Sequence, residues 1–187
     1  MSTNPAAASH AEPYVEPWMR GTHTEVPAAG RAVIHALELS LDDIKRWTRT
    51  LTDTEVTSKP LGLPSIAFHL RHIARSVDRI LTYAEGNQLS VEQLAALKSE
   101  QSVADEPLPA LLAELEGSFE SAAARIRSLA AKELDTARGI GRRQLPTTLG
   151  GAMIHVADHT QRHAGQIVTT AKVVIAMRPA ATQDGLL

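Results

Sequence analysis

The chain of 187 residues contains no cysteine. This absence excludes disulfide bonds, thiolate metal sites and a cysteine nucleophile. Any transition metal that the protein binds must therefore be held by nitrogen and oxygen ligands. Aromatic residues are also scarce, since Phe, Trp and Tyr together make up 3% of the chain. Leucine, isoleucine, valine and alanine must therefore fill most of the core.

Neither sign of charge dominates, with 19 Lys and Arg residues against 21 Asp and Glu residues. The basic residues form no block or aromatic-interleaved stripe, so the sequence predicts no nucleic-acid partner. No stretch approaches the ~20 apolar residues that a membrane-spanning helix needs, and the N-terminus has no apolar run typical of a signal peptide. We therefore expect a cytoplasmic protein of one domain, with no membrane partner.

Three regions differ in composition. Residues 1–26 are rich in proline and small residues, which predicts an irregular N-terminal arm. The arm contains Tyr14 and Trp18, half of the Tyr and Trp residues, so we expect it to pack on another surface. Residues 27–178 repeat apolar side chains at steps of three or four, which predicts a helical domain. Residues 179–187 are interpreted as a C-terminal tail.

The repeats predict four long amphipathic helices and no convincing strand, hence an all-α bundle. A short fifth helix is expected from Ser90, because Ser90 and Gln93 form a capping-type pair. Gly139, Gly141 and Pro146 predict a loop before the last helix. The four long helices are expected at Pro27 to about Thr52, Ser65 to Gly86, Pro107 to about Leu129, and Thr147 or Thr148 to the residue before Pro179.

Five of the eight histidines fall in two of the predicted helices. His155, His159 and His163 recur every four residues and so stack on one helix face. Histidines at this spacing can reach a common metal ion. His69 and His72 lie in the second long helix, and helical bundles build metal sites from inward-facing side chains of different helices. The sequence therefore predicts a metal site between these helices.

The apolar stripes rank the histidines without deciding which of them bind. His159 and His163 lie towards one edge of the stripe of the last helix, whereas His155 lies farther out. On the second helix, His69 lies near the stripe and His72 lies outside its centre. Position relative to the apolar stripe slightly favours His69 as the third ligand, but it does not exclude His72. The other three histidines, His10, His23 and His35, are interpreted as surface residues or as satisfied core residues.

Two segments resemble the DinB/YfiT-like superfamily. Residues 65–74, Ser-Ile-Ala-Phe-His-Leu-Arg-His-Ile-Ala, followed by Asp78, are similar to its first metal-ligand segment. Residues 159–166, His-Thr-Gln-Arg-His-Ala-Gly-Gln, are similar to its second motif, H-x-x-x-H-x-G-Q. The resemblance covers roughly residues 27–177 and is specific at the second motif. It implies an up-down-down-up four-helix bundle, with His72, His159 and His163 as metal ligands.

The resemblance also implies a chemistry. Three neutral imidazoles leave coordination positions of a divalent metal open for water or substrate. Zinc and nickel are the leading candidates, although imidazole also suits iron and copper. His69, His155 and Gln166 become neighbours that orient a ligand, hold water or simply pack. Members of the family attach low-molecular-weight thiols such as bacillithiol or mycothiol to electrophiles, and others are described as metal-dependent hydrolases.

These features favour a metal-dependent enzyme, with thiol transfer somewhat ahead of hydrolysis. A non-catalytic metal-binding or stress-response bundle is the alternative from another class. Because the chain has no cysteine, a thiol nucleophile must come from a small-molecule cosubstrate. Arg142 and Arg143 can bind an acidic cosubstrate, although solvated loop charges are the simpler interpretation. The resemblance further implies a homodimer, to which the N-terminal arm can contribute.

Overall fold

The computed structural model describes residues 13–100 and 106–179. The predicted tail from residue 180, His10 and the first part of the arm lie outside the described residues. Within them the chain is mostly helical, as predicted, with two single-turn 3-10 helices at Pro17–Met19 and Pro60–Gly62. The other elements are α1 (Ala28–Thr48), α2 (Asp53–Thr57), α3 (Ile66–Ala84), α4 (Val91–Ser99), α5 (Leu108–Ala130), β1 (Ala137–Ile140), β2 (Leu145–Thr148) and α6 (Leu149–Ala176).

The four long helices enclose one aliphatic core. α1 and α3 each pack against both α5 and α6, so α1 and α3 lie at opposite corners of the bundle. Burying a large aliphatic side chain contributes about 1.5–3 kcal/mol, so these side chains hold the bundle together. The largest fully buried side chains are Ile34, Leu37, Ile44, Ile66, Leu70, Ile73, Leu81, Leu111, Leu115, Ile126, Leu129 and Leu149.

Side-chain caps begin the helices that carry the histidines. The Ser65 hydroxyl accepts a hydrogen bond from the Phe68 amide at 3.2 Å and begins α3. The Thr148 hydroxyl accepts from the Gly151 amide at 3.0 Å and begins α6. Ser90 begins α4 through a capping box with residue 93. These predicted helix starts are confirmed, and each cap satisfies amide groups that have no partner within the helix.

Two predictions about the connections were wrong. The segment expected to be a loop forms an antiparallel hairpin, in which Ala137 pairs with Thr148 and Gly139 with Pro146. Each strand is short and lies at an edge of this two-stranded sheet, which is where proline is tolerated. The first helix ends at Thr48 instead of near Thr52, because Thr52 caps the short helix α2.

The described part of the arm packs on α1. The Tyr14 hydroxyl donates to the Asp42 carboxylate at 2.9 Å, and the Arg20 guanidinium pairs with the same carboxylate at 2.7 Å. The indole of Trp18 stays 61% exposed. The arm is thus attached to the bundle by polar contacts, while much of its aromatic surface remains uncovered.

Candidate metal centre

Three histidines from two neighbouring helices meet at the margin of the bundle. His72 lies on α3, whereas His159 and His163 lie one turn apart on α6. Each offers one ring nitrogen, and these nitrogens all lie within 4.8 Å of one another. The ring centroid of His163 is 4.6 Å from those of His72 and of His159. The three imidazoles are therefore close enough to share one ion, the role that the family resemblance implies for them.

Hydrogen bonds fix the orientation of two of these rings. His72 Nδ1 lies 2.9 Å from Glu100 Oε2, and because a carboxylate only accepts, Nδ1 carries a proton. His159 Nδ1 lies 3.4 Å from Ser76 Oγ, whose own proton is donated to the Ile73 carbonyl oxygen at 3.1 Å. Ser76 Oγ can therefore accept from His159 Nδ1. When each ring is neutral, this arrangement leaves Nε2 with a lone pair.

The two nitrogens that carry these lone pairs lie close together. Nε2 of His72 and Nε2 of His159 are 3.3 Å apart. Two acceptors at this distance repel unless a cation binds both of them, and imidazole nitrogens are ligands that suit divalent transition metals. The donor set of this structure therefore fits a divalent metal ion.

Burial favours the neutral form of the two α6 histidines, His159 and His163. The pKa of His159 is lowered to about 4, mainly by burial and additionally by the neighbouring His163 and His72. Burial also lowers the pKa of His163, although a hydrogen bond with Gln166 acts in the opposite direction. Imidazole binds metals in its neutral form, so these nitrogens can bind near neutral pH with little competition from protons.

The carboxylate behind His72 belongs to a buried ion pair that the sequence did not reveal. Glu100 is only 4% exposed, and its Oε1 forms a short ion pair with the guanidinium of Arg79. Burial alone raises the pKa of Glu100, but the hydrogen bonds from His72 and Arg79 outweigh it and hold this pKa below its usual value. A negative charge is thus fixed directly behind His72.

The three predicted neighbours lie at different depths. His69 is 2% exposed, and its Nδ1 lies 3.0 Å from Nδ1 of His163. His155 is exposed at the rim, where its Nδ1 lies 2.8 Å from the Asp158 carboxylate. Gln166 is exposed and makes a side-chain hydrogen bond with His163. His69 lies outside the group of three nitrogens, so the geometry favours His72 as the partner of the two α6 histidines.

A cleft of about 350 Å³ opens beside the histidines. His72, His159 and His155 are among the residues that line it. Its walls come from α3, the α4 region, the hairpin and α6, and they are mostly apolar. Largely apolar clefts with a few convergent polar groups are the usual form of small-molecule sites. The wall residues are Ser76, Arg79, Ile80, Tyr83, Leu89, Leu97, Ile140, Thr147, Gly151 and Ala152.

Arg142 and Arg143 lie in the turn of the hairpin and are exposed. Neither of them is among the residues that line the cleft. Their predicted contact with an acidic cosubstrate therefore requires the cosubstrate to extend beyond the cleft, and it stays a prediction.

A second group, formed by His23, His35 and Glu38, is satisfied by its own hydrogen bonds. Arg127 Nη2 lies 3.1 Å from His23 Nδ1, and because arginine only donates, Nδ1 accepts. His23 Nε2 therefore carries the proton and donates to Glu38 Oε1 at 2.7 Å. His35 Nε2 contacts the Thr22 hydroxyl at 3.1 Å. These contacts tie the arm to α1, as expected for histidines with a packing role.

A bundle margin that combines three convergent histidines with an adjacent cleft defines a helical-bundle protein with a candidate metal site. The sequence model of the DinB superfamily matches residues 36–167, a span that includes all three histidines. The chain belongs to the DinB superfamily, so the resemblance of its two motifs is confirmed. No curated protein matches the chain. Within residues 13–100 and 106–179, none of the helices is long and apolar enough to cross a membrane.

Proposed function

We propose that the protein is a metal-dependent enzyme in which His72, His159 and His163 hold one divalent ion, with zinc or nickel as the leading candidates. The observation that carries this proposal is the 3.3 Å approach of the Nε2 atoms of His72 and His159, whose Nδ1 atoms are engaged elsewhere. A divalent ion lowers the pKa of a bound water or thiol and stabilises developing negative charge.

The side chains around the site have separate tasks in this proposal. Glu100 and Ser76 hold the Nδ1 protons and thereby direct Nε2 of His72 and of His159 towards the ion. The apolar walls of the cleft bind and orient an electrophilic substrate and exclude water from it. His155, at the rim, contacts the part of a ligand that extends into solvent.

Thiol transfer is the reaction that the cleft supports best. Hydrolysis by an activated water usually needs a positioned base to accept its proton. None of the described residues that line the cleft carries a carboxylate, and Glu100 is already paired with Arg79 and His72. His155, the one cleft histidine outside the proposed ligand set, is exposed at the rim and contacts Asp158. A thiol is far more acidic than water, so it needs less help to ionise. Because the chain has no cysteine, we propose a low-molecular-weight thiol as cosubstrate.

Metal analysis of protein freed of any histidine tag tests the ligand set. We expect about one ion per chain, as for a single three-histidine site. His72→Ala and His163→Ala should abolish binding, whereas the control His155→Ala should keep it. A wild-type protein with only traces of metal, or a His163→Ala variant with full loading, would contradict the proposal.

Activity assays separate the alternatives. The thiol-transferase proposal predicts metal-dependent consumption of bacillithiol, mycothiol or glutathione in the presence of monochlorobimane, an uncharged electrophile. A hydrolase would instead cleave a nitrophenyl ester without any thiol. A non-catalytic metal-binding or stress-response bundle would contain the metal and show neither activity, and its melting temperature would not respond to these thiols.

The sequence and its family resemblance also imply an order of the helices, a location in the cell and an oligomeric state. We propose an up-down-down-up order for the four long helices, a cytoplasmic location and a homodimer. The exposed side chains of Tyr14, Trp18 and Met19 on the arm support the homodimer, because they offer an uncovered apolar surface. Sedimentation of the full chain tests the dimer, and a mass of one chain at micromolar concentration would exclude it.

A further inference from the structure

α4 contributes little to the core, but the residue after it is deeply buried. None of the nine residues from Val91 to Ser99 is buried. Glu100, which follows Ser99, is 4% exposed and contacts two side chains of α3. The chain therefore buries a charged side chain at this point in place of an apolar one, which is costly unless that charge is fully paired.

Both carboxylate oxygens of Glu100 are engaged. Oε1 pairs with Arg79, which is 8% exposed, and Oε2 accepts from Nδ1 of His72 at 2.9 Å. Arg79 lies two helical turns after His72 on α3, so both partners are held by one rigid element. The ion pair fixes the carboxylate, and the carboxylate fixes the proton and the ring plane of His72.

The other end of α4 is attached to the same helix by polar contacts. The Gln93 side-chain amide donates to the Asp78 carboxylate at 2.6 Å and to the Thr82 hydroxyl at 2.8 Å. Between these two attachments, Leu97 of α4 lines the cleft beside the histidines. α4 is therefore a wall of the cleft, and its C-terminal end is attached to α3 by the contacts of Glu100 with Arg79 and with His72, a candidate metal ligand, and by a 3.5 Å contact between Arg75 Nη1 and Ser99 Oγ.

We infer that Glu100 is a positioning residue that presents Nε2 of His72 to the metal centre, and that through this bond the docking of α4 is coupled to occupancy of the centre. The inference rests on the proposed function, since it assigns His72 as a ligand. Metal-binding histidines usually donate their second N–H to a carboxylate or carbonyl, and loss of that partner typically weakens metal binding about 10- to 100-fold. Coupling between two sites is reciprocal, so the metal should also stabilise the docked α4.

Glu100→Gln is a sharp test because the amide is not symmetric. Arg79 only donates, so the glutamine oxygen must face Arg79 and the glutamine NH₂ must face His72. His72 Nδ1 then has to accept, and the proton moves to Nε2, the atom that should bind the metal. The matched control is Glu114→Gln. Glu114 also pairs with an arginine, Arg75 at 3.0 Å, and it contacts none of the histidines of the cluster.

Two measurements follow the substitution. Nitrogen-15 NMR of the metal-free protein reports the tautomer of His72, which should be Nδ1–H in the wild type and in Glu114→Gln, and Nε2–H in Glu100→Gln. Competition with a chromophoric chelator reports zinc affinity, which should fall about 10- to 100-fold in Glu100→Gln. It should stay within about twofold of the wild type in Glu114→Gln, whose ion pair is partly exposed.

Hydrogen exchange tests the coupling. Zinc should slow exchange of the backbone amides of residues 91–100 in the wild type, and this protection should be smaller in Glu100→Gln. If Glu100→Gln does not fold, Glu100→Asp replaces it, since aspartate keeps the charge near Arg79 but is too short to reach both partners. It should weaken zinc binding and loosen α4 in the same direction.

The outcomes separate this inference from the proposed function. An Nδ1–H tautomer and unchanged zinc affinity in Glu100→Gln would overturn the positioning role, and zinc binding without protection of residues 91–100 would overturn the coupling. A wild-type protein that binds no zinc, nickel, iron or copper, yet shows an Nδ1–H tautomer that Glu100→Gln reverses, would refute the proposed function. In that case the positioning of His72 by Glu100 would stand.

Discussion

Nδ1 of His69 lies 3.0 Å from Nδ1 of His163. Burial lowers the pKa of His69 to about 4, and repulsion from His163 and His72 acts in the same direction. With both rings neutral, one Nδ1 must donate and the other must accept. His69 is therefore the buried hydrogen-bond partner of His163, whereas His72 lines the cleft.

This relationship predicts the effect of replacing His69. His69→Leu keeps an apolar side chain in the buried position but removes the partner of His163. Zinc affinity should fall by about 10-fold, the effect expected for a residue that contacts a ligand, whereas His72→Ala should abolish binding. Chelator competition measures both. If His69→Leu lost the metal and His72→Ala retained it, His69 would be the third ligand, the alternative that the apolar stripe of the sequence slightly favoured.

A second prediction concerns the apolar wall of the cleft. Leu97 is 43% exposed and lines the cleft together with Ile140. Leu97→Glu should leave zinc binding unchanged but weaken binding of an uncharged apolar ligand by about 10-fold, because a carboxylate would have to be desolvated against it. The fluorescent dye N-phenyl-1-naphthylamine measures that affinity directly.

The control for this variant lies on the same helix. Val91 is 77% exposed and does not line the cleft, so Val91→Glu adds the same charge away from the ligand. Dye binding by Val91→Glu should match the wild type. Equal dye affinities in all three proteins would show that the apolar ligand binds elsewhere.

A third prediction follows from the ion pair between the C-terminal end of the bundle and α2. Arg178 Nε and Nη2 donate to the two oxygens of Glu55 at 2.7 and 2.9 Å, and Nη2 also donates to the Thr50 carbonyl oxygen at 2.7 Å. The pKa of Glu55 is lowered from 4.5 to about 2, mainly by the hydrogen bond from Arg178 and also by hydrogen bonds from Thr52, although burial opposes the shift. The pair therefore joins two segments that are far apart in sequence.

The sign of the pH effect follows from this depressed pKa. Glu55 binds its proton more readily in the unfolded chain, so its contribution to stability is complete above pH 4.5 and is lost as the pH falls towards 2. Glu55→Gln should reduce the free energy of unfolding at pH 7 by about 1 kcal/mol, as for a partly exposed bidentate pair. Urea titrations should show this difference shrinking between pH 4.5 and 2.

Glu116→Gln serves as the matched control. Glu116 forms a single contact with Lys45 at 2.9 Å, and the two side chains are 39% and 47% exposed. Its loss should change the free energy of unfolding by less than about 0.5 kcal/mol. A difference between Glu55→Gln and the wild type that persisted unchanged to pH 2 would show that the Glu55 charge is not its source.

The sequence was informative where one segment determines its own conformation. Ser65, Ser90 and Thr148 could be predicted as helix starts because each caps amides within the next three residues. The hairpin could not, since it depends on pairing between segments that contain Gly139 and Pro146, two residues that sequence rules count as strand breakers.

The candidate site likewise contains residues that the sequence could predict and one that it could not. The spacing of His159 and His163 follows from helix geometry, so it could be read from the sequence. Glu100 gave no such signal, because α4 buries none of its nine residues and periodicity cannot indicate which side the following residue faces. Glu100 and His72 are 28 residues apart in the sequence, and their contact emerges only from the packing of α4 against α3.

The last prediction concerns two glycines that lie in helices. A Cβ added at Gly30 of α1 would lie 2.4 Å from the Cβ of Ala130 of α5, whereas a Cβ added at Gly117 of α5 would meet nothing within 4 Å. Both replacements by alanine reduce the conformational freedom of the unfolded chain and favour the helix by about 0.5–1 kcal/mol. Only Gly30→Ala also forces two helices apart.

The two variants should therefore change stability in opposite directions. Gly117→Ala should raise the free energy of unfolding by about 0.5–1 kcal/mol, whereas Gly30→Ala should lower it by about 1–3 kcal/mol, the usual effect of overpacking. Urea denaturation measures both. The double variant Gly30→Ala with Ala130→Gly exchanges which helix contributes the methyl group, so it should recover most of the loss. If Gly30→Ala were as stable as Gly117→Ala, α1 and α5 would not approach each other as closely as the structure describes.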